Sequence, residues 1–326
     1  MRLWQVTGQG EPRDVLAQTT GDLGPLMPGQ LRIRVAAAAI GLPDVLMCRG
    51  TYPITPMLPF TPGQEFAGTV IEAAADVATP PGTRLMGVSA FMLGRGSFAD
   101  ECITYETMSF PVADSMDNAT AAGFTIAYHT AYLALVRRAK LIAGETVLVH
   151  GGAGGTGAAA IQLAHALGAN VISTSAGAEK AAFCRNLGAA RAIDTTVEDF
   201  VKATDKHTGG RGADIVFDPV GGSTFERSVD CVAIEARLLP IGFACGRWGN
   251  ISPETLAFKN ISIVGALGGG FPPEIMLAMH QHLLALHEAG KIRAIIAQRI
   301  DFDGISAGVQ SVADRAALGR IVAVMQ

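Results

Sequence analysis

Only 17% of the 326 residues are charged and 6% are aromatic, and no run of lysine or arginine exceeds a pair such as Arg137-Arg138. With a net charge of −4, the chain lacks the basic footprint that a nucleic-acid backbone attracts. Its five cysteines (Cys48, Cys102, Cys184, Cys231, Cys245) are odd in number, scattered and never spaced C-x-x-C. That argues against a disulfide framework and a structural zinc lobe, and leaves reduced, mostly buried thiols. Gly, His or charge interrupts every apolar stretch well before the roughly 18 residues that a membrane span needs. The opening Met1-Arg2-Leu3-Trp4-Gln5-Val6 turns polar at once and leads to no small-residue cleavage site, so a cytoplasmic location is expected.

What the chain does have is apolar residues (49%) and 39 glycines, a composition suited to buried strands joined by tight turns. Its length suits two domains of roughly 100 to 200 residues, one of them split in sequence. Up to about residue 120, short strand-like runs (Leu31 to Ala37, Ala67 to Ala73, Arg84 to Val88) alternate with Pro/Gly turns, which reads as a mainly β domain. From about Thr146 to Gly265, strands alternate with helices. Strands expected at Thr146 to His150, Asn170 to Thr174, Arg191 to Asp194, Asp214 to Asp218, Arg237 to Gly242 and Ile261 to Gly265 bracket helices at Gly155 to Leu167, Glu179 to Leu187, Glu198 to Lys206 and Phe225 to Ala233. Helical crossovers force parallel pairing, and apolar runs without period-two alternation mean that both sheet faces are covered. The fold class is therefore α/β, a doubly wound parallel sheet plus a mainly β domain. A tail with one helix (Glu274 to Ala289) and strand-like pieces at Ala294 to Ile300 and Gly319 to Met325 returns to the first domain. The expected division is 1–123 completed by 266–326, with 124–265 as the parallel-sheet domain.

Directly after the Thr146 to His150 strand, Gly152, Gly154 and Gly157 satisfy G-x-G-x-x-G and open a small-residue helix. The first glycine permits the tight turn, the second lets backbone approach a pyrophosphate, and the third lets helix and strand pack closely. Amides of Gly152, Gly154, Gly155, Thr156 and Gly157, with the helix dipole, then form an anion cradle. About 20 residues on, where an acid would chelate the ribose hydroxyls of NAD, the chain instead carries Ser173-Thr174-Ser175 followed by Lys180. Hydroxyls and positive charge suit a 2′-phosphate, so NADPH is the expected cofactor, with Ser175 and Lys180 among its ligands.

A zinc-activated carbonyl reduction needs thiolate or imidazole ligands near residue 40 and about 25 residues on. Here those loops read Ile40-Gly41-Leu42-Pro43-Asp44 and Pro62-Gly63-Gln64-Glu65, with Gln64 where an imidazole belongs. No metal ligand is assigned. Without a Lewis acid, acceptors that delocalise the arriving charge, such as quinones and α,β-unsaturated carbonyls, are favoured. The spacings of two and five between His280, His282 and His287 put successive histidines on different faces of one helix, and the three are expected to be structural.

Arg49-Gly50-Thr51-Tyr52-Pro53, Pro62 to Gly68, Thr130-Ala131-Tyr132, Lys140 to Gly157, Asp218 to Gly222 and Gly242-Phe243 together resemble the zinc-free NADPH:quinone oxidoreductase branch of the medium-chain dehydrogenase/reductase superfamily. The resemblance covers nearly the whole chain. It implies a GroES-like, barrel-like catalytic domain, a Rossmann NADP-binding domain, an active site in the cleft, and a homodimer built through the edge segment Ile261 to Gly265. It also implies site roles: Tyr52 as the aromatic hydroxyl of the acceptor site, Thr130, Gly242, Phe243, Gly268 and Gly269 around the nicotinamide, and Arg315 at the 2′-phosphate. Relatives usually carry Asn at the position of Gly41 and often Tyr at that of Thr195. Two alternatives stay open: an ene-reductase acting on the C=C bond of enone or acrylate-type substrates, and a non-catalytic NADPH- or RNA-binding protein, against which the acidic balance argues.

Overall fold

The computed structural model describes residues 1–268, 270–315 and 317–325. The chain divides into two compact units, one of Met1–Ile126, Pro273–His280 and Ala294–Gln326, the other of Ala127–Pro272 and Gln281–Arg293. The first takes in less of the tail than 266–326, because the later turns of the Pro273–Glu288 helix belong to the second.

One long strand, Gln30–Ile40, organises the first unit. It pairs antiparallel with Glu65–Ala73, its first half also pairs with Glu101–Pro111, and its second half pairs with Arg320–Val324. Because Arg84–Ser89 bridges Glu65–Ala73 to Glu101–Pro111, the strands close on themselves and leave few open edges. Alternate residues Leu31, Ile33 and Val35 point into a core with Phe66, Val70, Phe98, Ile305 and Ile321. The tail strand Arg320–Val324 and the helix Ile305–Ala313 are thus structural parts of this unit.

Three ionisable side chains lie under the loops at residues 41 and 64. Arg320 pairs with Glu65, the two side chains being 9% and 3% exposed. The other Glu65 oxygen accepts from the Ile126 N–H at 2.7 Å. Asp44 accepts from the Gly41 and Gly63 amides at 2.8 and 3.1 Å, which ties the two loops together. Burial pushes the Asp44 carboxyl up to about 6 and the Arg320 guanidinium down to about 10.

The second unit holds a six-stranded, all-parallel sheet in the order Ser262–Ile263, Val232–Pro240, Ala213–Asp218, Thr146–Val149, Asn170–Ser175, Arg191–Asp194. Chain order reverses between Thr146–Val149 and Ala213–Asp218, the switch point at which such sheets take ligands. Every residue of Thr146–Val149 is buried, as a strand covered on both faces must be. The segment expected as one helix from Phe225 to Ala233 instead forms a helix at Gly222–Ser228, a single 3₁₀ turn at Val229–Cys231, and then strand from Val232. β-Branched Val232 and Ile234 favour extension, and a left-handed Glu235 (φ 62°) sets a bulge. Of Ile261 to Gly265, only Ser262–Ile263 pairs.

Replacing Arg320 by Met strands the buried Glu65 carboxylate and is expected to cost about 3–5 kcal/mol of stability in urea unfolding, with the Glu65→Gln/Arg320→Met double variant recovering most of it. A single-variant loss below about 1 kcal/mol would show that the pair does not hold the loops.

Candidate functional site

At the carboxyl ends of the parallel strands, three turns stack side by side. The first follows His150, which is completely buried and whose Nδ1 and Nε2 lie 2.9 Å from the Thr174 and Ser228 hydroxyls. Ser228 donates its one hydrogen to the Thr224 carbonyl at 2.8 Å, so Nε2–H donates to Ser228 and Nδ1 accepts from Thr174. Burial lowers the imidazole to about 3, so it is neutral and ties the turn to the neighbouring strand and helix.

The three glycines then do different work. A Cβ on Gly152 would overlap the Ser173 hydroxyl, and one on Gly157 would overlap the Gly151 carbonyl oxygen, so both are required by packing. Gly154 is exposed, and a Cβ there meets nothing nearer than the Gly151 oxygen at 3.4 Å. The fold has no need of glycine at 154, which directly precedes Gly155 and Thr156. These begin the Gly155–Ala166 helix, whose N-terminus no side chain caps. Open amides at the positive end of a helix dipole form an anion site.

The second turn is set by Asp218. Its Oδ1 accepts from Val220 N (2.6 Å) and Gly221 N (3.1 Å), while Oδ2 is enclosed with no partner. Burial raises this carboxyl to about 6. The Asp218 carbonyl takes the Ile241 and Gly242 amides at 2.9 and 3.2 Å, which joins it to the third turn, residues 242–249. There Phe243 packs on Trp248 with ring centroids 4.9 Å apart.

Of the residues expected from sequence, Gly152, Gly154, Gly155, Thr156, Gly157, Gly242 and Phe243 lie on the first and third turns. Thr130 is half-buried on the Thr125–Tyr132 helix, and Leu133, one turn on, comes within 4.0 Å of where a Gly268 Cβ would stand. Gly269 lies outside the described residues. Lys180 is half-buried on the Ala178–Asn186 helix, whereas the Ser175 hydroxyl is buried beside Cys184 and not presented at the edge. Strand pairing sets Asp194, which sequence reading did not weigh, opposite Ser175. Its Oδ1 takes Gly177 N, Thr196 N and the Thr196 hydroxyl, which hold it ionised.

Tyr52 and Arg315 belong to the first unit. Tyr52 is half-buried, its ring 6.5 Å from that of Phe91, and its hydroxyl bonds to none of the described residues. Arg315 is exposed in a left-handed conformation (φ 57°) just after the Ile305–Ala313 helix. The three helix histidines each have separate partners: Pro111 O for His280, Tyr132 for His282 and Ile292 O for His287. Among the described residues no three His, Cys, Asp or Glu side chains gather as a metal site would require. His150 and the turn-setting role of Asp218 are not among the features expected from sequence. The available signal was a polar residue ending each buried strand.

Asp218 should make stability depend on pH. Its folded-state value (about 6) lies above that of an unfolded aspartate (about 3.9), so the native state holds the proton more tightly. The contribution favours folding below about pH 4 and is lost as pH rises towards 6. Relative to the parent, Asp218→Asn should gain about 2 kcal/mol in unfolding free energy between pH 4 and pH 6; parallel curves would contradict the assignment.

A family model described as zinc-binding dehydrogenase matches residues 155–284, and one described as alcohol dehydrogenase GroES-like domain matches residues 27–117. The chain is 32% identical over 299 residues to a quinone oxidoreductase-like protein 2 homolog of Nematostella vectensis, covering 90% of this chain and 81% of that one. It is 33% identical to a quinone oxidoreductase of Pseudomonas aeruginosa, covering 85% and 86%. A mycobacterial protein solved in complex with NADPH superposes with a TM-score of 0.91 at 28% identity over 99% of this chain and all of that one. With a GroES-like closed sheet, a doubly wound parallel sheet and these likenesses, the chain belongs to the quinone oxidoreductase branch of the medium-chain dehydrogenase/reductase superfamily.

Proposed function

We propose that the protein is an NADPH-dependent oxidoreductase that delivers hydride to a quinone or related conjugated carbonyl acceptor without zinc. The observation that carries this reading is the open Gly154 in front of an uncapped helix N-terminus, a space the fold itself does not need. The amides of Gly155, Thr156 and Gly157 would hold the pyrophosphate, whereas those of Gly152 and Gly154 already donate to Thr174 O and Gly151 O at 3.0 Å each and leave only their backbone beside it. Lys180 offers positive charge to a 2′-phosphate, as Arg315 would by its place in the sequence, with Ser175 held back by its burial. Thr130, Gly242, Phe243 and Gly268 would line the nicotinamide, as Gly269 would by its place in the sequence. When bound, NADPH supplies the hydride, and the protein's own part is to orient the reactants and stabilise charge.

The donor set supports the metal-free half of the reading. Gly41 has no side chain, Gln64 is an amide, and the nearby Asp44 and Glu65 are committed to backbone amides and to Arg320. An acceptor whose π system spreads the incoming charge needs only a hydrogen-bond donor at its oxygen, and the unengaged Tyr52 hydroxyl suits that task. A homodimer is also proposed. The outer edge of the parallel sheet at Ser262–Ile263 lies among exposed Ile234, Phe258, Ile263 and Leu267, an apolar margin that a second copy would cover.

Three measurements test these statements. After dialysis against a chelator, the protein should oxidise NADPH with a quinone at an unchanged rate, and Tyr52→Phe should lower kcat/KM about tenfold or more. Turnover lost with the chelator, or a Tyr52→Phe enzyme that matches the parent on every acceptor, would overturn the corresponding part. Light scattering should give twice the chain mass for the parent and the chain mass for Ile263→Lys, while a monomeric parent would rule out the dimer.

A further inference from the structure

In a sheet of this strand order the two halves of a bound dinucleotide lie on opposite sides of the switch point. The adenosine half lies over Thr146–Val149, Asn170–Ser175 and Arg191–Asp194. The nicotinamide half lies over Ala213–Asp218, Val232–Pro240 and Ser262–Ile263. Residues 242–249 follow the middle strand of that second group, so they edge the ground where a hydride acceptor must approach.

This loop is firmly built. Ala244 N and Cys245 N donate to Pro219 O and Val220 O at 3.1 and 2.9 Å, and Gly246 N donates to Phe243 O at 2.8 Å. The Cys245 thiol donates to Arg247 O at 3.3 Å. Arg247 clasps both oxygens of Glu226, whose Oε1 also takes the Asn250 amide at 3.0 Å. On this anchored loop sits Trp248, 49% exposed, with Phe243 against it. The chain's other tryptophan, Trp4, is buried and gives its indole N–H to Phe302 O at 2.9 Å. The Trp248 indole N–H bonds to none of the described residues. A large aromatic face is therefore held out to solvent with an open donor on its rim, and Glu226 neutralises the adjacent Arg247 charge.

We propose that Trp248, backed by Phe243, is a specificity-determining residue: a stacking platform for the acceptor, which selects planar fused-ring quinones over single-ring quinones and aliphatic enones. The inference rests on the acceptor reading above. Its physical basis is the π overlap that an extended conjugated ring offers an indole and a short alkenal does not. Because the loop is anchored before the acceptor arrives, little ordering opposes the stack.

The test is steady-state NADPH oxidation by the parent, Trp248→Leu and Trp248→Phe, with 1,4-naphthoquinone, 1,4-benzoquinone and 2-cyclohexenone. Trp248→Leu should raise KM for naphthoquinone about 5- to 10-fold and for the two smaller acceptors about 2-fold or less, with the change in KM rather than kcat. Trp248→Phe should restore most of the naphthoquinone preference, and NADPH affinity from nucleotide fluorescence should not move. A uniform loss on all three acceptors, weaker NADPH binding, or no change would overturn the proposal. If the parent reduces none of them, the acceptor reading fails, and the stacking proposal is decided separately. It predicts that naphthoquinone quenches indole emission in the parent and far less in Trp248→Leu; equal quenching would refute it.

Discussion

Backbone close-packing at the carboxyl edge of the parallel sheet is the constraint on which the rest depends. Gly152 lies so close to Ser173, and Gly157 to Gly151, that no side chain fits at either place. That proximity fixes where the helix at Gly155 begins and hence where its open amides point. The Asp218 carbonyl hydrogen-bonds the second turn to the third, and the first packs against the second, where a Cβ on Gly151 would stand 3.3 Å from Val220, so the three turns form one rim. Neutral His150 locks the rim from below without placing a charge beneath the proposed phosphate site.

A second set of constraints works in the closed sheet. Asp44, Glu65 and Arg320 come from three places far apart in the chain and meet under the loops at 41 and 64. Such a buried cluster is costly to form and costlier to break, which suits a device that specifies geometry more than one that adds stability. In the proposed function it fixes loops that in a zinc enzyme would carry ligands, and it keeps their carboxylates occupied.

The parallel-sheet unit was largely legible because helix-linked strands with unbroken apolar runs allow few topologies, and the glycine spacing fixed the position of the turn. The closed sheet was less so. Glu101–Pro111 alternates poorly, since its residues from Tyr105 to Ser109 are part-buried or, at Thr107, exposed, and Ile305–Ala313 is marked by little beyond an apolar face. Arg320 could not be recognised as a buried cation, because its partner lies 255 residues away. Ser175 shows the limit for sites: a hydroxyl at the right sequence distance faces inward, because strand alternation and the packing of Cys184 decide its direction. Asp194 was missed for the same reason, since only strand pairing brings it opposite Ser175.

The central claim is that the rim grips a phosphorylated dinucleotide through backbone and needs no metal to do so. Calorimetric titration of the metal-stripped protein with NADPH and then with NADH tests it most directly. The account predicts one saturable site per chain, tighter for NADPH than for NADH. Absence of saturable binding by either nucleotide, or binding that returns only when zinc is restored, would contradict it.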